Sequence, residues 1–323
     1  MLPRRSLFAA APALLAAPAL RAQSAAFPNR PVRMLVGFAP GGTTDVAARL
    51  IAPKMQEVLG QSVVVENRPG ASGNIASEQV VRSPADGYTI LLGTIGPLAI
   101  NPTLYDNLPF NPLQDLTPVT RVAMILNVLA VPAEKPWQTV ADYLAASRAS
   151  PQSFGSSGVG GAGHLAGEQF NMLGKVQNVH VPYRGGGALV SDLMTAKLDS
   201  AFTPASGAGP LVEAGHVRML GVTTKTRSPL LPNLPAISET PGLEDFDMAD
   251  WSAILAPRGL PAPVLEALHR AATTALRDAP VVAALAQRGI EATPSSPLEC
   301  GEFIRAETAK WAPVVRASGA TPS

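Results

Sequence analysis

Two glycine-rich stretches hold the residues best suited to bind a ligand. "GSSGVGGAG" covers residues 155–163, and Gly158, Gly160 and Gly163 in it have the G-x-G-x-x-G spacing of a dinucleotide-binding turn. "GFAPGGTTD", residues 37–45, has the same form, with an apolar strand pattern before it and a helix pattern after it. Glycine lets such a turn bend tightly and brings bare backbone close to a ligand. The first N–H groups of the following helix have no intrahelical partner. Together with the helix dipole they attract an anion without any charged side chain. In the first loop Thr43 and Thr44 add hydroxyl donors, and Asp45 is either a helix cap or an acceptor for a donor on the ligand.

A dinucleotide turn also needs an acidic residue at the end of the next strand, to hold the ribose hydroxyls. That strand, "NVHVPYR", ends in Tyr183 and Arg184, so a pyrophosphate cradle is set aside. The serines of "GSSGVG" and "GASGN" miss the G-x-S-x-G spacing of a hydrolase. His164, His180, His216 and His269 form no metal-ligand pattern such as H-E-x-x-H. His164, beside the second loop, either lines a cleft or caps and packs, and His180 sits inside an apolar strand as core. No catalytic residue, metal or cofactor is expected. There remains a binding protein with one anion-ready loop in each of two lobes.

The chain has 323 residues, 46% hydrophobic and 15% charged, with a formal net charge of +1. That length permits a large core in one domain or two lobes. No Lys/Arg run or basic–aromatic patch offers a surface to nucleic acid. Cys300 is the single cysteine, so no intramolecular disulfide forms, and its helical surroundings make it a packing residue. "MLPRRSLFAAAPALLAAPALRAQ" has the charged, apolar, small-residue order of a signal peptide. We take residues 1–25 as that signal, for the twin-arginine or the general secretory route, and expect a soluble protein of the periplasm.

The elements that position the loops alternate. "VRMLVGF" (32–38), "SVVVENR" (62–68) and "YTILLGT" (88–94) read as strands, separated by helices from Thr44 or Asp45 towards Leu59 and over 73–83. Pro53 is expected to kink or break the first of these helices. A second block begins at "NVLAVPA" (127–133), and Thr139 with Asp142 has the spacing of a capping box. Val-, Ile- and Leu-rich strands alternating with helices predict parallel βαβ units covered on both faces. The chain is expected to cross between blocks near 121–127 and 247–253. Its amphipathic C-terminal helices would then return to the first lobe.

Several blocks in order, "APGGTTDVAARL", "VVVENRPGASGN", "DGYTILLGT", "AINPTLY", "HLAGEQF", "VHVPYRGGG", "LLPNLPAISETPG" and "LAPRGLPAPV", resemble the solute receptors of tripartite tricarboxylate transporters, the Bug receptors. The resemblance covers essentially all of the mature chain. It implies an α/β periplasmic-binding-protein fold of the two-lobed Venus flytrap kind, type II-like, with the ligand cleft between lobes. Residues 26–124 and 250–323 would form lobe 1, and 125–249 lobe 2. It implies a non-enzymatic receptor, a monomer, that binds a small carboxylate and passes it to inner-membrane permease subunits. A sensing subunit for a signalling partner, or a secreted hydrolase, are the alternatives. The carboxylate would lie between Phe38, Pro40, Gly41, Gly42, Thr43, Thr44 and Asp45 on one side and Ser156, Ser157, Gly158, Gly160, Gly161, Ala162, Gly163 and His164 on the other. Thr94 and Ile95 after the third strand, and Ala205 and Ser206 after "DSAFTP", are further candidates. Asp250 and Trp251 are expected at the hinge or cleft wall, while Asn67, Arg68 and Arg184 are read as turn residues. The glycine-heavy "GVGGAG" leaves few side chains on the second loop, so ligand selectivity must arise elsewhere, and no purely local Asp/Arg recognition of a zwitterion is evident.

Overall fold

The computed structural model describes residues 27–183 and 186–321. The expected signal peptide and Arg184 lie outside them. Strands β1 (Val32–Val36), β2 (Val63–Asn67) and β3 (Thr89–Thr94) alternate with helices α1 (Thr43–Leu59) and α2 (Asn74–Val81). Short helices α3 (Asn101–Leu104) and α4 (Pro112–Asp115) then lead into β4 (Leu116–Ile125). A second set follows: β5 (Asn127–Pro132), α5 (Val140–Ala149), β6 (Ser153–Ser156), α6 (Ala162–Gly174), β7 (Val179–Pro182), α7 (Gly186–Met194), β8 (Ser200–Pro204), α8 (Ala205–Glu213) and β9 (Val217–Val222). The chain closes with β10 (Asp250–Pro257), α9 (Ala262–Arg277), α10 (Ala279–Ala286), β11 (Ile290–Ala292) and α11 (Pro297–Ala317). The strands form two sheets, ordered β11-β4-β10-β3-β1-β2 and β7-β6-β8-β5-β9.

The sheets are mixed rather than wholly parallel. β1 runs parallel to β2 and β3, and β6 runs parallel to β7 and β8, as βαβ units require. β10 is antiparallel to both β3 and β4, and β5 is antiparallel to β8 and β9. Topology explains this. β4 carries the chain out of the first sheet and β10 brings it back, so two neighbours that lead to and from the same crossing run in opposite senses. β4 and β11 have no counterpart in the sequence reading, because Pro118 and Arg121 interrupt the apolar pattern of β4 and β11 has three residues.

α1 continues through Pro53 without a break. Proline removes the N–H that would bond the Arg49 carbonyl. Pro53 is exposed, so that carbonyl lies on the side where water can reach it. The helix stays in place through its other face, where Ala47, Ile51 and Met55 pack with Met34 of β1 and Leu268 of α9. The capping box of α5 forms as its spacing requires, with the Asp142 N–H donating to Thr139 Oγ1 at 3.1 Å. Cys300 is buried among Leu116, Ile304 and Trp311, and burial pushes its thiol up to about 12, which leaves it inert.

One residue, Leu126, separates β4 from β5. Its N–H donates to the Gly289 carbonyl at 3.1 Å, and its carbonyl accepts from Ala205 N–H at 2.8 Å. The return crossing is tied to it through fully buried Thr223. The Thr223 hydroxyl donates to the carbonyls of Met248 (2.8 Å) and Asn127 (3.2 Å). Both crossings are therefore held at fixed spacing, and the glycine loops project from the strand ends on either side.

Candidate functional site

The two loops are built alike. Gly42 caps α1 and Gly161 caps α6, each with extended backbone and no side-chain cap. The residue before each cap is a left-handed glycine, Gly41 at φ 84° and Gly160 at φ 72°, a conformation that disfavours any side chain. Each of these glycines donates its N–H to the side chain four residues on: Gly41 to Asp45 Oδ2 at 2.9 Å, Gly160 to His164 Nδ1 at 3.1 Å. The first intrahelical bonds run from Val46 to Gly42 (2.9 Å) and from Leu165 to Gly161 (3.1 Å). The N–H groups of Thr43 and Thr44, and of Ala162 and Gly163, precede those bonds and have no helical partner. Side chains cap α4, α5, α10 and α11, through Asn111, Thr139, Asp278 and Ser296, whereas α2, α3, α8 and α9 also lack a side-chain cap.

Both uncapped ends open on one cavity of about 440 Å³. Phe38, Gly42, Thr43, Thr44 and Ser72 line one side, and Ser157 through Gly163 the other. Thr94, Ile95, Gly96 and Ile100, then Ile125, Asn127, Phe202, Pro204 and Asp250, complete the walls and floor. Two helix N-termini converging on one cleft suit an anion that replaces the missing caps.

Comparison with known proteins agrees with this architecture. Residues 47–320 match the family model described as "Tripartite tricarboxylate transporter family receptor". The chain belongs to the tripartite tricarboxylate transporter receptor family. It is 34% identical to protein BugT of Bordetella pertussis over 297 residues, 91% of each chain. A structure titled R. palustris Rpa4515 with adipate is 37% identical, with a TM-score of 0.79, over 92% of this chain and all of that one. The structure of MatC from Rhodopseudomonas palustris with bound malate is 28% identical, with a TM-score of 0.75, over 90% of this chain and all of that one. This receptor is thus a two-lobed solute-binding protein and not an enzyme, and its family serves a membrane transporter. Among its described residues no group of His, Cys, Asp and Glu could hold a metal ion, and no helix is long and apolar enough to cross a membrane.

Seven of the sequence candidates do not line the receptor's cavity: Pro40, Gly41, Asp45, Ser156, His164, Ala205 and Ser206. Asp45 is buried behind the first loop. Besides Gly41 it accepts from Asn67 Nδ2 (2.9 Å) and Arg49 Nε (3.0 Å), and Asn67 also donates to the Phe38 carbonyl at 3.0 Å. Burial pushes the Asp45 carboxyl up, but its bonds from Arg49, Gly41 and Asn67 outweigh that and hold it below the usual range. Asn67, read as a turn residue, is the last residue of β2, and it and Asp45 brace the first loop from behind. Buried His164 does the same for the second loop. Its ring stacks on His180 at 4.0 Å, and His180 Nε2 meets Ser156 Oγ at 2.8 Å. His180 is therefore half-buried in a small polar cluster rather than apolar core. Ala205 is turned to Leu126, and exposed Ser206 sits against Gly289.

Burial pushes His164 down to about 4, and burial together with His164 does the same for His180. His164 is thus neutral near pH 7, with Nδ1 free to accept from Gly160. Below the unfolded value of about 6.5 the unfolded chain binds protons that the folded one refuses. The stabilisation from this pair is present above that pH and is lost as pH falls towards about 4. His164→Phe keeps a stacking ring but removes the acceptor. The variant is expected to lose about 1–3 kcal/mol and to show a flatter fall in melting temperature between those two pH values than wild type.

The sequence reading did not assign Ser72, Gly96, Ile100, Ile125, Asn127, Phe202 and Pro204 to the cavity. Asp250 it placed only at the hinge or wall. Burial pushes the Asp250 carboxyl up to about 7. Neither the Asp250 carboxyl nor the amide of buried Asn127 has a hydrogen-bond partner among the described residues.

Proposed function

We propose that this receptor binds a small carboxylate in the periplasm and delivers it to the inner-membrane permease subunits of a tripartite tricarboxylate transporter. The observation that carries this reading is the pair of uncapped helix N-termini, α1 and α6, on one cleft. The carboxylate oxygens accept from the N–H groups of Thr43, Thr44, Ala162 and Gly163, with the Thr43, Thr44 and Ser157 hydroxyls beside them. Lobe 1, residues 26–124 and 250–323, and lobe 2, residues 125–249, close on the ligand because it bonds both loops at once only when they approach. The mature protein acts as a monomer after loss of the signal peptide at residues 1–25. Relatives whose structures are titled with adipate and malate support the ligand class.

Thermal unfolding against a panel of carboxylates tests the reading. A true ligand at 100 times its Kd is expected to add about 2.7 kcal/mol and raise the melting temperature by several degrees. Stabilisation by a nucleotide and by no carboxylate would sink it.

A further inference from the structure

We propose that Asp250 and Asn127 form a second recognition point at the cleft floor, which selects carboxylates that also carry a protonated amine over plain dicarboxylates. The inference rests on the carboxylate-binding function proposed above and names the ligand's other end.

Among the described residues, Asp250 is the one charged side chain that lines the cavity. No described lysine or arginine accompanies it there. It begins β10, where it pairs with Ile125, the last residue of β4, and Asn127 lies two residues beyond at the start of β5. The two side chains therefore enter the floor from the adjacent crossings, and Thr223 holds the Asn127 backbone in place. Asn127 is 3% exposed, yet its amide finds no partner among the described residues and opens on the cavity. Asn127 is buried and Asp250 half-buried on the cavity wall, and neither side chain has a partner among the described residues, so both are available to something that enters.

Charge decides which something. Loop backbone can take one carboxylate without any cation. A dicarboxylate would bring a second negative charge into a space that already holds a carboxyl group and, among the described residues, offers no positive side chain. Like charges brought together while water is displaced repel strongly. An ammonium group reverses the sign: it donates to Asp250 and to Asn127 Oδ1, and the bound zwitterion leaves the closed cleft without a surplus charge from the ligand. Burial alone raises the Asp250 carboxyl, and no opposing charge among the described residues offsets it.

Calorimetric titration at about pH 8, above the value of about 7 to which burial pushes Asp250, tests this. The probes are matched pairs: succinate with β-alanine, glutarate with 4-aminobutyrate, and each dicarboxylate with its α-amino form, aspartate or glutamate. Wild type is expected to bind the best amine-bearing acid at least about tenfold more tightly than its dicarboxylate partner. Asp250→Asn, nearly isosteric, should fold normally by thermal unfolding and erase that preference, and Asn127→Ala should reduce it. Tighter binding of the dicarboxylate by wild type, or an unchanged preference in Asp250→Asn, overturns the proposal. Dicarboxylate binding with proton uptake, read from heats that depend on the buffer, overturns it as well, because Asp250 would then serve as a neutral acid. Binding of dicarboxylates alone leaves the carboxylate-receptor function standing, whereas binding of none of these acids overturns both.

Discussion

Gly161→Phe abolishes carboxylate binding, by about 100-fold or more, in a protein that still folds. The backbone of Gly161 is extended, at φ −80° and ψ 169°, which any residue adopts. A Cβ there would meet nothing closer than the Gly158 carbonyl oxygen at 3.6 Å, an ordinary contact. Gly161 lines the cavity, so the added ring takes cleft space beside the N–H groups of Ala162 and Gly163. It removes ligand space and the close backbone approach together. Other glycines of the loops are poorer tests. A Cβ on Gly163 would lie 2.3 Å from the Phe202 carbonyl oxygen, so α6 and β8 would have to separate. Gly41 does not line the cavity, and its φ of 84° makes any side chain strained. A binding loss at either would be mixed with damage to the fold. Titration of Gly161→Phe beside its thermal unfolding curve separates the two effects.

Glu307→Ala costs the receptor about 3–5 kcal/mol and lowers its melting temperature by about 6–20 °C. The Glu307 side chain of α11 is almost fully buried, and its Oε2 accepts from two indole N–H groups, Trp251 at 2.9 Å and Trp311 at 3.0 Å. Both tryptophans are fully buried. Lys310 neutralises the carboxylate and also reaches Asp247 Oδ2 at 3.0 Å. Asp247 stands just before the return crossing, so the network clamps the C-terminal helix onto the strand that brings the chain back to the first sheet. Removing the carboxylate strands two buried donors and leaves Lys310 with one partner. Glu307→Gln keeps an oxygen able to accept from both indoles and loses only the ion pair with Lys310, and should lose visibly less. Equal melting temperatures for wild type and Glu307→Ala would show that the buried network contributes nothing.

The parts of the site legible in the sequence are those whose chemistry is local. A strand, two or three glycines and a helix start lie within about ten residues, and the orphan N–H groups follow from helix geometry alone. Gly42, Thr43, Thr44, Gly161, Ala162 and Gly163 were readable for that reason. Asp45 and His164 sit in the same stretches, but their side chains fold back on the left-handed glycines before each cap, a detail that spacing does not carry. Ser72, Asn127, Phe202 and Asp250 come to the cleft from four separate segments. Only the topology brings them together, because it sets the strand that leaves the first sheet beside the strand that returns. The same neighbour relation makes β10 antiparallel within a sheet that the alternating units predicted as parallel. Ala205 and Ser206 show the limit of loop placement. The chain turns at Pro204, which lines the cavity, and Ala205 is already committed to Leu126.

Backbone amides hold the ligand in this account, so their NMR signals test it most directly. Titration of isotope-labelled receptor with its best carboxylate is expected to move the amide protons of Thr43, Thr44, Ala162 and Gly163 downfield together, saturating at one ligand per chain. Saturable binding that leaves the amides of both loops where they were would contradict it.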